Sequence, residues 1–259
     1  MEKIVVLKCG GSTVNKLTED FFKSVKVLKH SGYTPVIVHG GGPEIKRMLT
    51  LLNVESEFVD GLRKTDEQVM EIVEMVLCGK VNKMLVRSLI GAGVDALGVS
   101  GMDNRLIEAV PLDESRLGLV GKVASVNTAL LSDWLESGIV PVIAPVGLST
   151  SGKCYNINAD TAAGAVARAL RAEKLFFVTD VPGILKDGEK LENVSEEEVR
   201  ELIKDGTIYG GMIPKVEAAL DSLQGSLSEV VITKADHALM KNGKTTGTII
   251  QRREKVKAG

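Results

Sequence analysis

The feature that most constrains this chain is a series of short apolar runs separated by helical patterns. Seven runs read as strands: Lys3–Leu7, Thr34–Val38, Ala96–Val99, Ile139–Ala144, Lys174–Thr179, Glu229–Thr233 and Thr248–Gln251. They are nearly continuous in apolar residues rather than alternating, the pattern of strands covered on both faces by helices. The segments between them carry helix signals. Thr18 precedes acidic Glu19 and Asp20, and Gly32 closes that segment. Thr65 with Gln68, and Ser195 with Glu198, read as capping boxes, while Asn127 reads as the cap of a helix ending before Gly138. Strand runs alternating with helices predict an α/β fold, an open, mostly parallel sheet sandwiched between helices. Two lobes are expected, 1–173 and 174–259, divided at Ala172-Glu173-Lys174.

Composition removes several functional classes. A chain of 259 residues buries a large core without disulfides or metals. A net charge of −2, with no basic run beyond Arg252-Arg253, argues against nucleic acid as a partner. No apolar stretch approaches the roughly 20 residues of a membrane span. The apolar start before Lys8 is too short for a signal peptide, so a cytoplasmic protein is expected. Cys9, Cys78 and Cys154 are scattered, without the spacing of a disulfide framework or a zinc site, and no protein metal site is expected.

Chemistry concentrates at strand ends. Lys8-Cys9-Gly10-Gly11-Ser12 places a cation before a glycine turn whose amides can approach an anion closely. His39-Gly40-Gly41-Gly42-Pro43 leads into a helix, which gathers free amides and the positive end of a helix dipole. This loop begins like a dinucleotide fingerprint but has Ile45 where glycine or alanine is needed. Gly147–Cys154 nearly spells a Walker A loop, yet Cys154 lacks the required hydroxyl and no helix follows, so a polar hairpin is expected.

Other positions carry weaker signals. Arg63 can grip a carboxylate with two parallel bonds, though a lone arginine is usually a solvated one. Asn156-Ile157-Asn158-Ala159-Asp160 precedes an alanine-rich helix, where Asp160 is equally a good N-cap. Thr179-Asp180-Val181-Pro182-Gly183 ends a strand in a turn. Lys215, early in a helix, is repelled by the dipole and makes sense beside a polyanion.

In order and spacing, Lys8-x-Gly10-Gly11, His39-Gly40-Gly41-Gly42, Gly61-Leu62-Arg63, Asn156-x-Asn158-Ala159-Asp160, Asp180-Val181-x-Gly183-Ile184 and Gly211-Met212-x-x-Lys215 resemble the amino-acid kinase family, and within it the enzymes acting on N-acetyl-L-glutamate. The resemblance covers almost the whole chain. It implies an N-terminal lobe for the acylated amino acid and a C-terminal lobe for ATP. Gly41, Gly42, Arg63 and Asn156 would hold the acceptor. Lys8 and Lys215 would contact the transferring phosphoryl group, with Asp160 holding both lysines. Gly10, Gly11, Thr179, Asp180, Val181, Gly183, Ile184, Thr207, Ile208, Tyr209 and Gly211 would line the nucleotide, which brings its own Mg²⁺.

The implied reaction is ATP-dependent phosphorylation of the γ-carboxylate of N-acetyl-L-glutamate, a step of arginine biosynthesis. Two alternatives stay open at this point: a kinase of N-acetyl-aminoadipate, one methylene longer, and a non-catalytic amino-acid or nucleotide sensor. Arginine-inhibited relatives carry an extra N-terminal helix that links dimers. This chain starts close to its first strand, so a homodimer without arginine inhibition is expected.

Overall fold

The computed structural model describes residues 3–241 and 243–252. All seven expected strands form, with ends shifted by up to two residues. They join one further short strand in an eight-stranded sheet. Its order is Asn193–Ser195, Thr248–Gln251, Glu229–Lys234, Lys174–Thr179, Lys3–Cys9, Tyr33–His39, Val140–Ala144 and Ala96–Ser100. Pairing is parallel except between Thr248–Gln251 and Glu229–Lys234. The α/β class and the mostly parallel sheet agree with the sequence. The sheet also runs unbroken across the expected lobe boundary, since Lys3–Cys9 pairs with Tyr33–His39 on one side and Lys174–Thr179 on the other.

Both sheet faces are apolar because alternate residues of each strand face different layers. Val6, Val36 and Val38 pack with the helix Ala159–Ala169 on one face, while Val5, Leu7 and Ile37 pack with Glu19–His30 and Asn82–Gly91 on the other. Lys8 shares the face of Val6, so it is aimed toward the start of the Ala159–Ala169 helix. Its strand lies where the order of connections reverses, with neighbours added on both sides. In open sheets the crevice at such a point, beyond the carboxyl ends of the strands, is where ligands bind.

A second, smaller sheet closes into a barrel of Cys154–Ile157, Val120–Val126, Ile107–Pro111 and Val146–Leu148. Two of its strands, Ile107–Pro111 and Val120–Val126, have no counterpart in the sequence reading. The Walker-like segment is the turn between Val146–Leu148 and Cys154–Ile157, which pair antiparallel as the expected hairpin.

Helix ends agree in part. Ser195 and Glu198 form the expected capping box, and Asn127 accepts from the Leu130 N–H. Thr65 is not a cap. Asp66 takes that role by accepting from the Val69 N–H at 2.8 Å, and the helix it opens, Glu67–Glu74, continues through a π-helical turn, Met75–Val81, into Asn82–Gly91. Asp160 is not a cap either. Asn158 accepts from the Asp160 and Thr161 N–H groups, which leaves the Asp160 carboxylate free for another partner.

Candidate active site

At the carboxyl end of the sheet the two glycine loops touch backbone to backbone. A Cβ on Gly11 would lie 2.7 Å from the Gly42 nitrogen and 2.9 Å from that of Gly41, and one on Gly40 would lie 2.9 Å from the Gly11 nitrogen. No side chain fits at this contact, which accounts for glycine in both loops. Thr13 pins the first loop, its Oγ1 lying 2.8 Å from the Gly10 carbonyl and 3.2 Å from that of Val178. Among the described residues the Gly41 and Gly42 N–H groups meet no acceptor.

Beside these amides opens a cleft of about 290 Å³, bordered by Arg63, Asn156, Gly11, Gly41, Gly42 and, at one end, Lys8 with Asp160. Arg63 is only 9% exposed. Its guanidinium lies over the Phe58 ring, 4.6 Å from the centroid, and donates to Ser56 Oγ at 2.7 Å and to the Gly42 carbonyl at 3.3 Å. Burial pulls its pKa down, and among the described residues no carboxylate pairs with it. Thr65 joins the two polar walls: its Oγ1 donates to the Arg63 carbonyl at 2.8 Å and accepts from Asn156 Nδ2 at 3.2 Å. A buried guanidinium without a carboxylate partner, beside free amides, is a seat for a carboxylate.

A second cavity of about 240 Å³ lies across Lys8. Its walls include Gly10, Thr13, Thr179, Asp180, Gly211 and Lys215, and it shares Lys8, Ser12 and Asp160 with the first. Lys8 Nζ is 2.7 Å from Asp160 Oδ1 and 5.8 Å from the centre of the Phe177 ring. Lys215, in the first turn of the helix Ile213–Ser222, pairs with Asp180 and not with Asp160. The expected bridge from Asp160 to both lysines is therefore absent among these contacts. Each lysine has its own carboxylate, and the Lys215 bond holds Asp180 below the usual carboxylate range.

The structure thus brings Lys8, Asp160, Gly41, Gly42, Arg63 and Asn156 to one cleft, and Lys215, Gly10, Thr179, Asp180 and Gly211 to its neighbour. Val181, Gly183, Ile184, Thr207, Ile208 and Tyr209 are not among the residues bordering that second cavity. Ile184 and Ile208 are core residues, and Tyr209 is 76% exposed. The buried side chains of Ile184 and Ile208 leave only their backbone to meet a nucleotide, whereas the Tyr209 ring is open to solvent. Sequence reading missed Ser12, which borders both cavities, and Thr13 and Thr65, whose hydroxyls bond to Val178 and Asn156 far along the chain. Cys9 is fully buried, and burial pushes its thiol up to about 12, which excludes a nucleophilic thiolate at neutral pH.

Two polar cavities joined at a strand-end lysine, beyond the carboxyl ends of an open, mostly parallel sheet, form a site suited to holding two anionic ligands side by side. The chain belongs to the amino acid kinase family, whose model matches residues 3–234. It is 52% identical to the acetylglutamate kinase of Geobacillus kaustophilus over 252 residues, 97% of this chain and 98% of that one. Identity to the acetylglutamate kinase of Bacillus subtilis is 46% over 257 residues, 99% and 100% of the two chains. A solved protein of Streptococcus mutans UA159 superposes with a TM-score of 0.83 at 34% identity, covering 97% of this chain and 99% of the other.

Proposed function

We infer that this chain transfers the γ-phosphoryl group of ATP to the γ-carboxylate of N-acetyl-L-glutamate, a step of arginine biosynthesis. Relatives named acetylglutamate kinase at about half identity over nearly the full chain support this reading. The observation that carries it is the seam at Lys8, where a carboxylate-seating cleft and a second cavity share one cation.

The chemistry fits these groups. A carboxylate oxygen attacks the γ-phosphorus, the bond from phosphorus to the β,γ-bridging oxygen breaks, and ADP leaves with that electron pair. The product is N-acetyl-L-glutamyl 5-phosphate. A glutamate carboxyl with pKa about 4.3 is already ionised at neutral pH, so no base is needed. What remains is positioning and charge neutralisation. We assign Arg63, Asn156 and the amides of Gly41 and Gly42 to the acceptor, and Lys8 and Lys215 to the phosphoryl group in flight. Gly10, Thr179, Asp180 and Gly211 are assigned to the nucleotide, while Gly11, expected there from the sequence, borders the acceptor cleft instead. Asp160 orients Lys8, and Asp180 does the same for Lys215.

Mg²⁺ is assigned to the nucleotide and not to a protein cage. Among the described residues no three His, Cys, Asp or Glu side chains gather, and the cavity carboxylates Asp160 and Asp180 are each taken by a lysine. When bound, the ion supplies positive charge to the phosphate oxygens. We also propose a homodimer working in the cytoplasm; among the described residues no helix is long and apolar enough to cross a membrane.

Trapping of the acyl phosphate with hydroxylamine tests the assignment. ATP with N-acetyl-L-glutamate should give hydroxamate well above background, and N-acetyl-L-2-aminoadipate should give less. No product from either acceptor would overturn the kinase reading, and faster turnover of the longer acid would overturn the substrate.

A further inference from the structure

We propose that His39 and Asn82 are positioning residues for the acceptor, acting by fixing the direction in which the Gly41 N–H points. The proposal rests on the assignment of the Gly41 and Gly42 amides to the acceptor. His39 is fully buried at the last position of its strand. Its Nδ1 lies 3.1 Å from the Gly40 carbonyl, and its Nε2 lies 3.2 Å from Asn82 Nδ2. A carbonyl can only accept, so Nδ1 carries the proton and gives it to Gly40, which leaves the Nε2 lone pair facing the Asn82 amide, whose two protons are shared among Nε2 and two backbone carbonyls. Burial holds the His39 pKa down at about 4, so the ring keeps this neutral form at neutral pH.

The geometry of the peptide unit does the rest. The Gly40 carbonyl and the Gly41 N–H belong to one rigid trans plane and point in opposite directions. Holding the carbonyl therefore aims the amide. Three successive glycines have no side chains to hold themselves, so the aim has to come from outside the loop.

Asn82 keeps the ring in one orientation. It is fully buried, and its Nδ2 also lies 3.1 Å from the Val99 carbonyl and 2.8 Å from that of Val142, which ties three strands together. Gly98 makes room for it: a Cβ there would lie 2.0 Å from Asn82 Oδ1. Asn82 stands at the exit of the π-helical turn Met75–Val81, and two more residues of that turn reach the same loop. A Cβ on Gly41 would lie 2.5 Å from Leu77 Cδ2, and Lys80 pairs with Glu44 just beyond Pro43. The turn braces the glycine loop at three points, which gives the irregular helix a reason to exist.

The ring has two ends, and two substitutions separate them. An asparagine amide ends near the position of Nδ1, and a glutamine amide near that of Nε2. His39→Asn can thus keep the donor to Gly40, while His39→Gln and Asn82→Leu lose the relay. We expect His39→Gln and Asn82→Leu to raise the KM for N-acetyl-L-glutamate roughly five- to tenfold, the scale of one lost hydrogen bond. The KM for ATP should hold, and His39→Asn should return the acceptor KM most of the way. Calorimetric titration with N-acetyl-L-glutamate, and separately with ATP, reads the same effect without turnover, so a failure of the kinase reading stays distinguishable. Equal loss of acceptor binding in His39→Asn and His39→Gln, in step with equal loss of thermal stability, would overturn the proposal as mere packing. Unchanged acceptor binding in a folded His39→Gln would also overturn it, as would weakened ATP binding alone. Should Asn82→Leu fail to fold, the two His39 variants decide.

Discussion

Lys8 and Lys215 are each matched to a carboxylate, and the partners come from different places in the chain. Lys8 takes Asp160, which is available because Asn158 caps the helix in its stead. Lys215 takes Asp180 from the end of the neighbouring strand. Both lysines border the second cavity, yet only Lys8 also borders the acceptor cleft. Lys8→Ala and Lys215→Ala should each lower kcat by about 100- to 1,000-fold, the scale of losing one donor to a charge that develops during reaction, about 2.7–4 kcal/mol. Steady-state kinetics on both substrates would check this, and a rise in KM with kcat intact would move the residue from the reaction to simple binding. Lys8 was legible from its neighbours, because a cation at a strand end before a glycine turn has a local logic. The partner of Lys215 was not, since Asp180 and Asp160 are both plausible until the strand order is known.

At the level of elements, the central sheet was readable because continuous apolar runs survive as strands when both faces are covered. The barrel strands escaped for the complementary reason. Val120–Val126 contains Gly121, Lys122 and Ser125, and much of it is exposed, so it offers no continuous run. The π-helical turn escaped too, because its residues keep an ordinary helical composition. One element junction has a pH signature. Glu44, in the first turn of the helix Gly42–Leu51, is held by Lys80, Asn15 and Arg47, and these bonds, Lys80 first, lower its pKa to about 2. A carboxylate whose pKa is depressed by folding adds stability above its unfolded value of about 4.3, and that stability is lost as pH falls toward 2. Urea unfolding at stepped pH should show stability falling through this window, with a shallower fall in Glu44→Gln. An identical slope in the two proteins would show that this junction does not contribute.

For the whole molecule, the helical side that carries the brace also carries apolar residues turned outward. Leu51, Leu52, Met75 and Ile90 are half or more exposed, on segments that pack against the same face of the sheet. Apolar residues concentrated on one side are the raw material of an interface between copies. Light scattering should give the mass of two chains, and a monomer or a hexamer at working concentration would overturn the dimer.

The placement of Lys3–Cys9 in mid-sheet has a consequence for how the protein is made. Val5 pairs with Pro35 on one side and with Lys174 on the other. The first partner leaves the ribosome soon after the strand itself. The second comes about 170 residues later, a wait of roughly 10–30 s at typical rates of synthesis. Through that interval the nascent chain carries an apolar strand with one edge open, the form most prone to wrong pairing. The strand that later holds the reactive lysine is thus the one whose birth exposes the chain longest to aggregation.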